Sequence, residues 1–501
     1  MEGQVLTQTP AERPRSDTET QSRSRLPDWH GLLYAPFLWS VLACLVLAAI
    51  SAAVLPTVPS YDPWAWISWG REVTDPHLSF AISGGPSWKP LPVVFTTVWA
   101  LFGSAAAPTL WVITARAGGL LGIVAAYLLA SRLIRGPRWA KIAAGLIAGA
   151  GIVITQAWWN EMFRGTSEPM LIATALWAVV AHLDGRRGWA FSLGVATSLI
   201  RPEAWPLIIV YAAWLWFKEP RLRVLIVVGL FSIPFLWFAP PWIGSGQPFL
   251  AAVHAEEYNG DLGKHPLFTV LGRGVDIQLL PVLLAGVVAA VFAWFDKPRD
   301  WLLLSLAGGT AVWWVIVVGM TLDGYPGLER FYLPAAGMTC VLAGVGIVRL
   351  AQLVGRGSVS IGIVTTAALV AITIPWVGSR INQASSEYHT ANQAVTRLDQ
   401  MTAAVAAVGG HTGVFPCKSS FAAVNHSVQT ALAWKLHVTL GRVGTSMRHQ
   451  GVMFVGPHDS IDGIEPPISH RLTQQQFITQ VGAWKMYRMT APGADTRCVG
   501  R

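Results

Sequence analysis

Charge is what this 501-residue chain has least of. Asp, Glu, Lys and Arg supply 13% of its residues, about half the share with which a soluble domain covers its surface. Against 53% hydrophobic residues and a mean hydropathy of +0.46, that shortage excludes a soluble fold of this length and points to a bilayer. Cysteine is scarce too, four in all, which excludes a disulfide-dense miniprotein. There is no Cys-x-x-Cys pair and no His-rich run, so no metal ribbon is written in the sequence. No Gly-rich phosphate loop opens a helix. With no cytoplasmic domain either, catalysis on a soluble nucleotide sugar is disfavoured. What is plentiful is apolar sequence, 48 Gly and 25 Trp.

A span needs about 20 apolar residues, and shorter ones survive only among neighbours. Eleven stretches qualify: 32–55, 109–134, 142–158, 169–183, 189–200, 205–217, 224–239, 277–295, 301–320, 331–350 and 358–377. The fifth and sixth are short and meet at Ile200-Arg201-Pro202-Glu203. That junction is either a helix–turn–helix dipping into the membrane or two half-buried helices, so the count carries a margin of two. Residues 1–28 are polar, carry Arg13, Arg15, Arg23 and Arg25, and read as a disordered cytoplasmic arm. Residues 29–377 read as a transmembrane domain with a first outer loop at 56–108. Residues 378–501 are polar and broken by Gly-Gly and Pro-Pro, and read as an extracytoplasmic α/β domain. Within it, an amphipathic helix is expected over 385–408, with strands at Gly413–Phe415, Gly451–Val455 and Trp484–Met489.

Charge sets the orientation. With the N-terminus inside, the cytoplasmic segments hold 17 of the Lys and Arg residues, while the outer loops and spans hold eight. This positive-inside bias predicts a multi-pass plasma-membrane protein with a cytoplasmic N-terminus and an extracytoplasmic C-terminal domain. The total of +9 therefore divides into +8 inside, −4 at the outer rim and +5 on the C-terminal domain. Most of the basic excess serves topology, and nucleic-acid binding has no support. Cys44 and Cys340 lie in apolar stretches as small buried hydrophobes. Cys417 and Cys498 share the oxidising compartment, which predicts a disulfide between them.

The outer rim is the expected active face, because ionisable residues there have no topological duty. Directly after the first span comes Tyr61-Asp62-Pro63-Trp64-Ala65-Trp66. Its indoles either form an interfacial belt, with Asp62 capping a helix over 63–72, or offer flat faces to a sugar. Trp88-Lys89-Pro90-Leu91-Pro92 precedes an apolar run, 91–102, expected to lie along the outer surface. Glu161 and Glu168 flank Arg164 in the next loop, and Arg201-Pro202-Glu203 forms a tip. His254, Glu256 and Glu257 follow Gly246-Gln247-Pro248, and Glu329-Arg330 opens the tenth span.

This order of elements resembles the GT-C superfamily of integral-membrane glycosyltransferases, over residues 30–350. The resemblance rests on Asp62 in a large first outer loop, Lys89-Pro90-Leu91-Pro92 before a surface helix and Glu168 opening the fourth span. Arg201-Pro202-Glu203, Gly246-Gln247-Pro248, and Arg330 ahead of Pro334 complete it. The large outer tail and Trp-rich loops are similar to those of actinobacterial members that move arabinofuranose or mannose to envelope glycans and glycolipids. The resemblance implies an α-helical polytopic fold of about 11 spans with a small C-terminal domain. It implies an inverting transfer from a polyprenyl-phosphate sugar to an envelope glycan or glycolipid. Asp62 is then the first choice of base, which a carboxylate in reach of the acceptor hydroxyl can be; Glu168 or Glu161 orients the acceptor or acts instead. Arg201 and Arg330, then Lys89, would hold the leaving phosphate. Trp64, Trp66, Glu161, His254 and Glu257 would contact acceptor or sugar. Trp434 and Trp484 are more simply core residues of the tail than glycan contacts. No cofactor is required; some members use a divalent cation, but the acids here are not spaced as a cage.

Two other classes compete. A transporter or flippase for a lipid or glycolipid predicts inverted repeats and charges at mid-membrane, and the charges here gather at the rim. A non-catalytic envelope scaffold leaves the acids and Arg of the first loops unexplained.

Overall fold

The computed structural model describes residues 34–82, 84–256, 262–457 and 466–491; the N-terminal arm, Glu257 and Cys498 lie outside them. Helices occupy each of the eleven apolar stretches. These are α1 (Ala35–Val54), α4 (Ala107–Leu133), α5 (Arg138–Val153), α7 (Glu168–Leu183), α8 (Arg187–Ser198) and α9 (Trp205–Lys218). They continue with α10 (Arg223–Ser245), α13 (Leu280–Phe295), α14 (Trp301–Leu322), α15 (Leu333–Gly355) and α16 (Val359–Ala371). Between them run α2 (Tyr61–Thr74), α3 (Pro90–Ala100), α6 (Trp158–Arg164), α11 (Leu250–Glu256) and α12 (Pro266–Asp276).

Among the described residues five helices are long and apolar enough to cross alone, or up to eight if each bent pair is one span. Helix α5 turns 67° into α6, α12 turns 89° into α13, and α16 turns 51° into the tail. Helices α7, α8 and α9, of 16, 12 and 14 residues, fall short of the roughly 20 residues of a full span.

The bundle is built around α4 and α15. Nine-tenths of the apolar stretch of α15 is buried, against about a fifth for α10 and α14, so the latter present apolar faces outward. Close packing at α15 depends on two glycines. A Cβ at Gly344 would lie 2.3 Å from the Ala144 carbonyl oxygen, and one at Gly346 would lie 2.1 Å from that of Ala285. Small residues that let backbones meet are how helices associate without a hydrophobic drive.

Beyond α16 the chain continues as α17 (Ile374–Ala407), longer than the amphipathic helix expected at 385–408, and then α18 (Gly410–Val414). The strand expected at Gly413–Phe415 is thus mostly helical, closed by a turn in which Gly409 and Gly410 take positive φ. Then come β1 (Phe421–Ala423), α19 (Gln429–Lys435), β2 (Val443–Gly444), β3 (Gly451–Val455), β4 (Gln474–Val481) and β5 (Trp484–Thr490). The sheet order is β2-β1-β3-β5-β4. Strand β1 is parallel to β2 and β3, while β5 runs antiparallel to β3 and β4. Strands β3 and β5 match the expected Gly451–Val455 and Trp484–Met489: β3 is a short apolar run buried over Val452–Val455, and in β5 buried Trp484, Met486 and Met489 are interspersed with exposed Lys485 and Arg488.

The tail docks on α2, and this docking positions the site. The Arg71 guanidinium lies 4.2 Å above the Trp434 ring and donates to the carbonyls of Trp434 and Val438, each at 3.1 Å. Thr430 Oγ1 donates to the Tyr61 carbonyl at 2.8 Å. Cys417 is disulfide-bonded.

Candidate active site

Asp62 sits in the first turn of α2. The helix starts at Tyr61 with Ser60 at the N-cap position, so Asp62 lies inside the first turn and is not its cap. It meets Arg330, which projects from the 3-10 turn Glu329–Tyr332. Arg330 Nη2 donates to Asp62 Oδ2 at 3.1 Å, a charge-assisted bond. The Ser60 amide bonds the Arg164 carbonyl at 3.0 Å, which ties the start of α2 to the end of α6.

Behind this pair lies a second charge cluster. Glu168, at the start of α7, is fully buried and accepts from Lys89 Nζ at 3.3 Å and from Arg201 Nη2. Lys89 also donates to Ser167 Oγ at 2.8 Å, with its Nζ 5.1 Å from the Trp66 ring centroid. Arg201 Nη1 donates to Glu203 Oε1 at 3.3 Å, and its guanidinium stacks 4.3 Å over Phe331. The loop that carries Arg201 is pinned where the Ser198 carbonyl accepts from both Trp205 and Trp237, at 3.1 and 2.9 Å. The Leu91 amide reaches the Leu199 carbonyl at 3.1 Å, so the Lys89 and Arg201 loops are one unit.

The electrostatics favour an anionic visitor. Burial and the neighbouring Arg201 and Arg330 push the Lys89 ammonium down to about 8, against the pull of Glu168. The Nε atoms of Arg201 and Arg330 and Oε2 of Glu203 are buried without a hydrogen-bond partner. Buried polar atoms are normally satisfied, so these mark a site built to meet a ligand.

All of this opens into a cavity of about 1680 Å³ between the bundle and the tail. Asp62, Trp64, Lys89, Glu161, Arg201, Glu203, His254 and Arg330 line it. Glu161 accepts from Thr166 Oγ1, and from Asn160 Nδ2 at 3.3 Å; His254 Nδ1 lies 3.3 Å from the Pro86 carbonyl.

Two expected site residues lie away from the cavity surface. Glu168, expected as a catalytic acid, is not among the residues that line the cavity; it is buried and accepts from Lys89 and Arg201. Trp66 is fully buried, edge-on to Trp111 at 5.5 Å; it supports Lys89 from below and has no free face for a sugar. Trp64 is nearly buried but lines the cavity. Trp434 packs against Arg71, and buried Trp484 donates to the Arg397 carbonyl at 3.1 Å.

The tail adds wall residues that the loops alone did not indicate: Arg397, His426, Gln429, Arg448 and His449. His426 stacks on Tyr61 at 4.3 Å, and Tyr61 OH donates to Gln429 Oε1 at 3.1 Å. Their only sequence signal is the placing of Tyr61 beside Asp62. Among the described residues no three His, Cys, Asp or Glu gather as a metal site.

No described protein family and no curated protein matches this sequence. Solved structures do. ArnT from Cupriavidus metallidurans, bound to undecaprenyl phosphate, superposes with a TM-score of 0.55 at 13% identity, over 91% of this chain and 98% of that one. The same protein in its apo state gives 0.55 at 14% identity, with the same coverage. The fold is shared with ArnT. Within that fold, the helix after the first span carries Asp62, and Lys89, Arg201 and Arg330 line the same cavity.

Proposed function

We propose that this protein is an inverting membrane glycosyltransferase that takes its sugar from a polyprenyl-phosphate donor. The observation that carries this reading is the pairing of Asp62 with Arg330 at a cavity backed by Lys89 and Arg201. A carboxylate and a triad of cations face one space there, in a fold that a relative adopts when bound to undecaprenyl phosphate. The acceptor hydroxyl oxygen attacks the anomeric carbon as the carbon–oxygen bond to phosphate breaks. Its proton passes to the Asp62 carboxylate, and the polyprenyl phosphate leaves with the electron pair of the broken bond. Charge that develops on the phosphate meets Lys89, Arg201 and Arg330, which are fixed before the reaction begins. Arg suits phosphate oxygens because its fork gives two parallel donors.

The sugar is arabinofuranose or mannose and the acceptor an envelope glycan or glycolipid on the outer face; this finer assignment draws on the resemblance in the loops. Purified protein in neutral lipid, given a radiolabelled polyprenyl-phosphate sugar and envelope extract, should release polyprenyl phosphate and label the acceptor. Asp62→Asn should lower that rate by about a hundred- to ten-thousand-fold, the usual worth of a general base. Full activity in Asp62→Asn would remove Asp62 as the base. A flippase would move the donor between leaflets without breaking the sugar–phosphate bond, so release of polyprenyl phosphate separates the two readings.

A further inference from the structure

Three bent helix pairs meet at one side chain. Gln156 lies between α5 and α6, where the chain turns 67°. Its backbone amide donates to the Ile277 carbonyl at 2.9 Å, inside the 89° bend between α12 and α13. Its Oε1 accepts from Arg380 Nη1 at 2.6 Å, early in α17 and after the 51° bend that follows α16. Arg380 Nη2 donates in turn to the Asp276 carbonyl, which closes a ring of three elements. The remaining arm, Nε2, leaves the ring and donates to Glu329 Oε2 at 2.8 Å. A cation needs the amide's oxygen and a carboxylate needs its NH2 group, so the two partners fix one orientation of the side chain.

Glu329 opens the 3-10 turn Glu329–Tyr332, and that turn serves two of the site's cations. It carries Arg330, which donates to Asp62 at 3.1 Å, and Phe331, over which Arg201 stacks at 4.3 Å. Trp313 Nε1 donates to the Phe331 carbonyl at 2.9 Å, while Gln156 holds the start of the turn.

Helix α6 ties down Asp62 from the other side. At its C-terminal end the Arg164 carbonyl accepts from the Ser60 amide at 3.0 Å, two residues ahead of Asp62. Just before its N-terminal end stands Gln156. Seven residues of helix, roughly 10 Å, thus lie between the tether of Asp62 and the tether of Arg330. The helix is itself gripped by α17. Glu387 accepts from the Asn160 amide at 2.8 Å, a first-turn donor that has no partner within the helix. Ala157, at the junction, takes a φ of 62°, which a residue with a Cβ keeps only where its surroundings enforce it.

We propose that Gln156 is a positioning residue for the transfer reaction. Anchored by Arg380 and Ile277, it sets Glu329 and so fixes Arg330 relative to Asp62, with α6 as the spacer between base and cation. Gln156 is not among the residues that line the cavity, so it acts through the turn and not on substrate. The inference rests on the transferase reading and adds to it a residue outside the reacting groups. A misplaced Arg330 costs stabilisation of the charge that develops on the phosphate, and that loss falls on kcat.

The test uses the full-length protein in phosphatidylcholine nanodiscs with a radiolabelled polyprenyl-phosphate sugar and envelope extract. Gln156→Glu keeps an acceptor for Arg380 but sets a carboxylate against Glu329. It should lower kcat about ten- to a hundred-fold with donor KM little changed, the scale of a small misplacement at a reacting centre. Adding Glu329→Gln restores the bond with donor and acceptor exchanged, since the turn's new amide donates to the carboxylate at 156. The double variant should recover most of the lost kcat, which a side chain that merely fills the bend would not allow. Equal hydrogen-exchange protection over α4 and α15 excludes unfolding as the cause of the fall. Arg380→Ala gives a second reading: it frees Gln156 Oε1 without touching Glu329, and kcat should again fall with donor KM kept. Wild-type kcat in Gln156→Glu and Arg380→Ala overturns the positioning role and leaves the transferase reading standing. So does a double variant no faster than Gln156→Glu, or a loss confined to donor KM. No label transfer by the wild-type protein overturns the transferase reading and this inference with it.

Discussion

At Lys89 the geometry makes a sharp demand. Its ammonium is buried between Glu168 and Ser167, and burial holds it down to about 8. A lysine whose folded value is lowered is protonated below that value and loses its charge as pH rises through it. The free enzyme's kcat/KM for the donor should therefore fall on the alkaline side, with a midpoint at about 8, because kcat/KM reports the free enzyme's groups. Lys89→Gln should remove the limb and lower kcat/KM by roughly a hundred- to a thousand-fold, the scale of one lost charge-stabilising donor. Lys89→Arg should keep activity to higher pH, since a guanidinium does not titrate there. A limb that survives in Lys89→Gln would assign it to another group. The residues of this corner were largely legible in the sequence: Asp62, Lys89, Arg201 and Arg330 each stand out as charges where an apolar helix has no use for them. Their division of labour was not. Glu168 and Arg201 are 33 positions apart, and nothing along the chain says that the acid sits under the cation and away from the cavity.

The decisive element is α2, which joins bundle, cavity and tail. Residues 63–72 of it are all buried, which a helix in a loop between spans achieves only with cover on every side. The tail supplies part of that cover through Arg71, Trp434 and Val438. Burial also pushes Glu72 up to about 8, from an ordinary 4.5, though the Ala81 amide donates to it. The sign follows directly: the folded state holds a proton that the unfolded state has released, so this element loses stability as pH rises between those two values. Arg71→Ala should weaken the docking by about 2–3 kcal/mol, since it removes hydrogen bonds from a buried cation to two carbonyls. Hydrogen exchange would show this as loss of amide protection over 429–435, with α4 and α15 unchanged. Protection at 429–435 equal to the wild type would mean that other contacts hold the tail. The helices were legible from long apolar runs, β3 from a short apolar run after Gly451 and β5 from its interspersed polar residues. The bends were not, because a change of direction at 154–157 or 277–279 depends on what packs against it. The mostly helical 410–414 escaped too: Gly-Gly reads as a turn, and Val414-Phe415 read equally well as strand.

For the whole molecule, the +9 total conceals its parts. The sequence's low charge placed it in a bilayer, and the fold agrees with one: two deeply buried helices, α4 and α15, ringed by helices with apolar outer faces. Shared architecture with ArnT, across 91% of this chain at 13% identity, shows that the arrangement persists when nearly every side chain differs. The docking of the tail on α2 was not legible, because it joins residues more than 350 positions apart with no local pattern to announce it. That docking turns an open rim into a cavity with a reacting floor and a second wall. The central claim is that this floor receives a lipid-linked phosphate, and an electron cryomicroscopy map of the full-length protein with undecaprenyl phosphate tests it most directly. Density for the phosphate within hydrogen-bond reach of Lys89, Arg201 or Arg330, with the lipid chain running out between helices, is the expected result. Phosphate density elsewhere, with that corner empty at saturating lipid, would contradict the account.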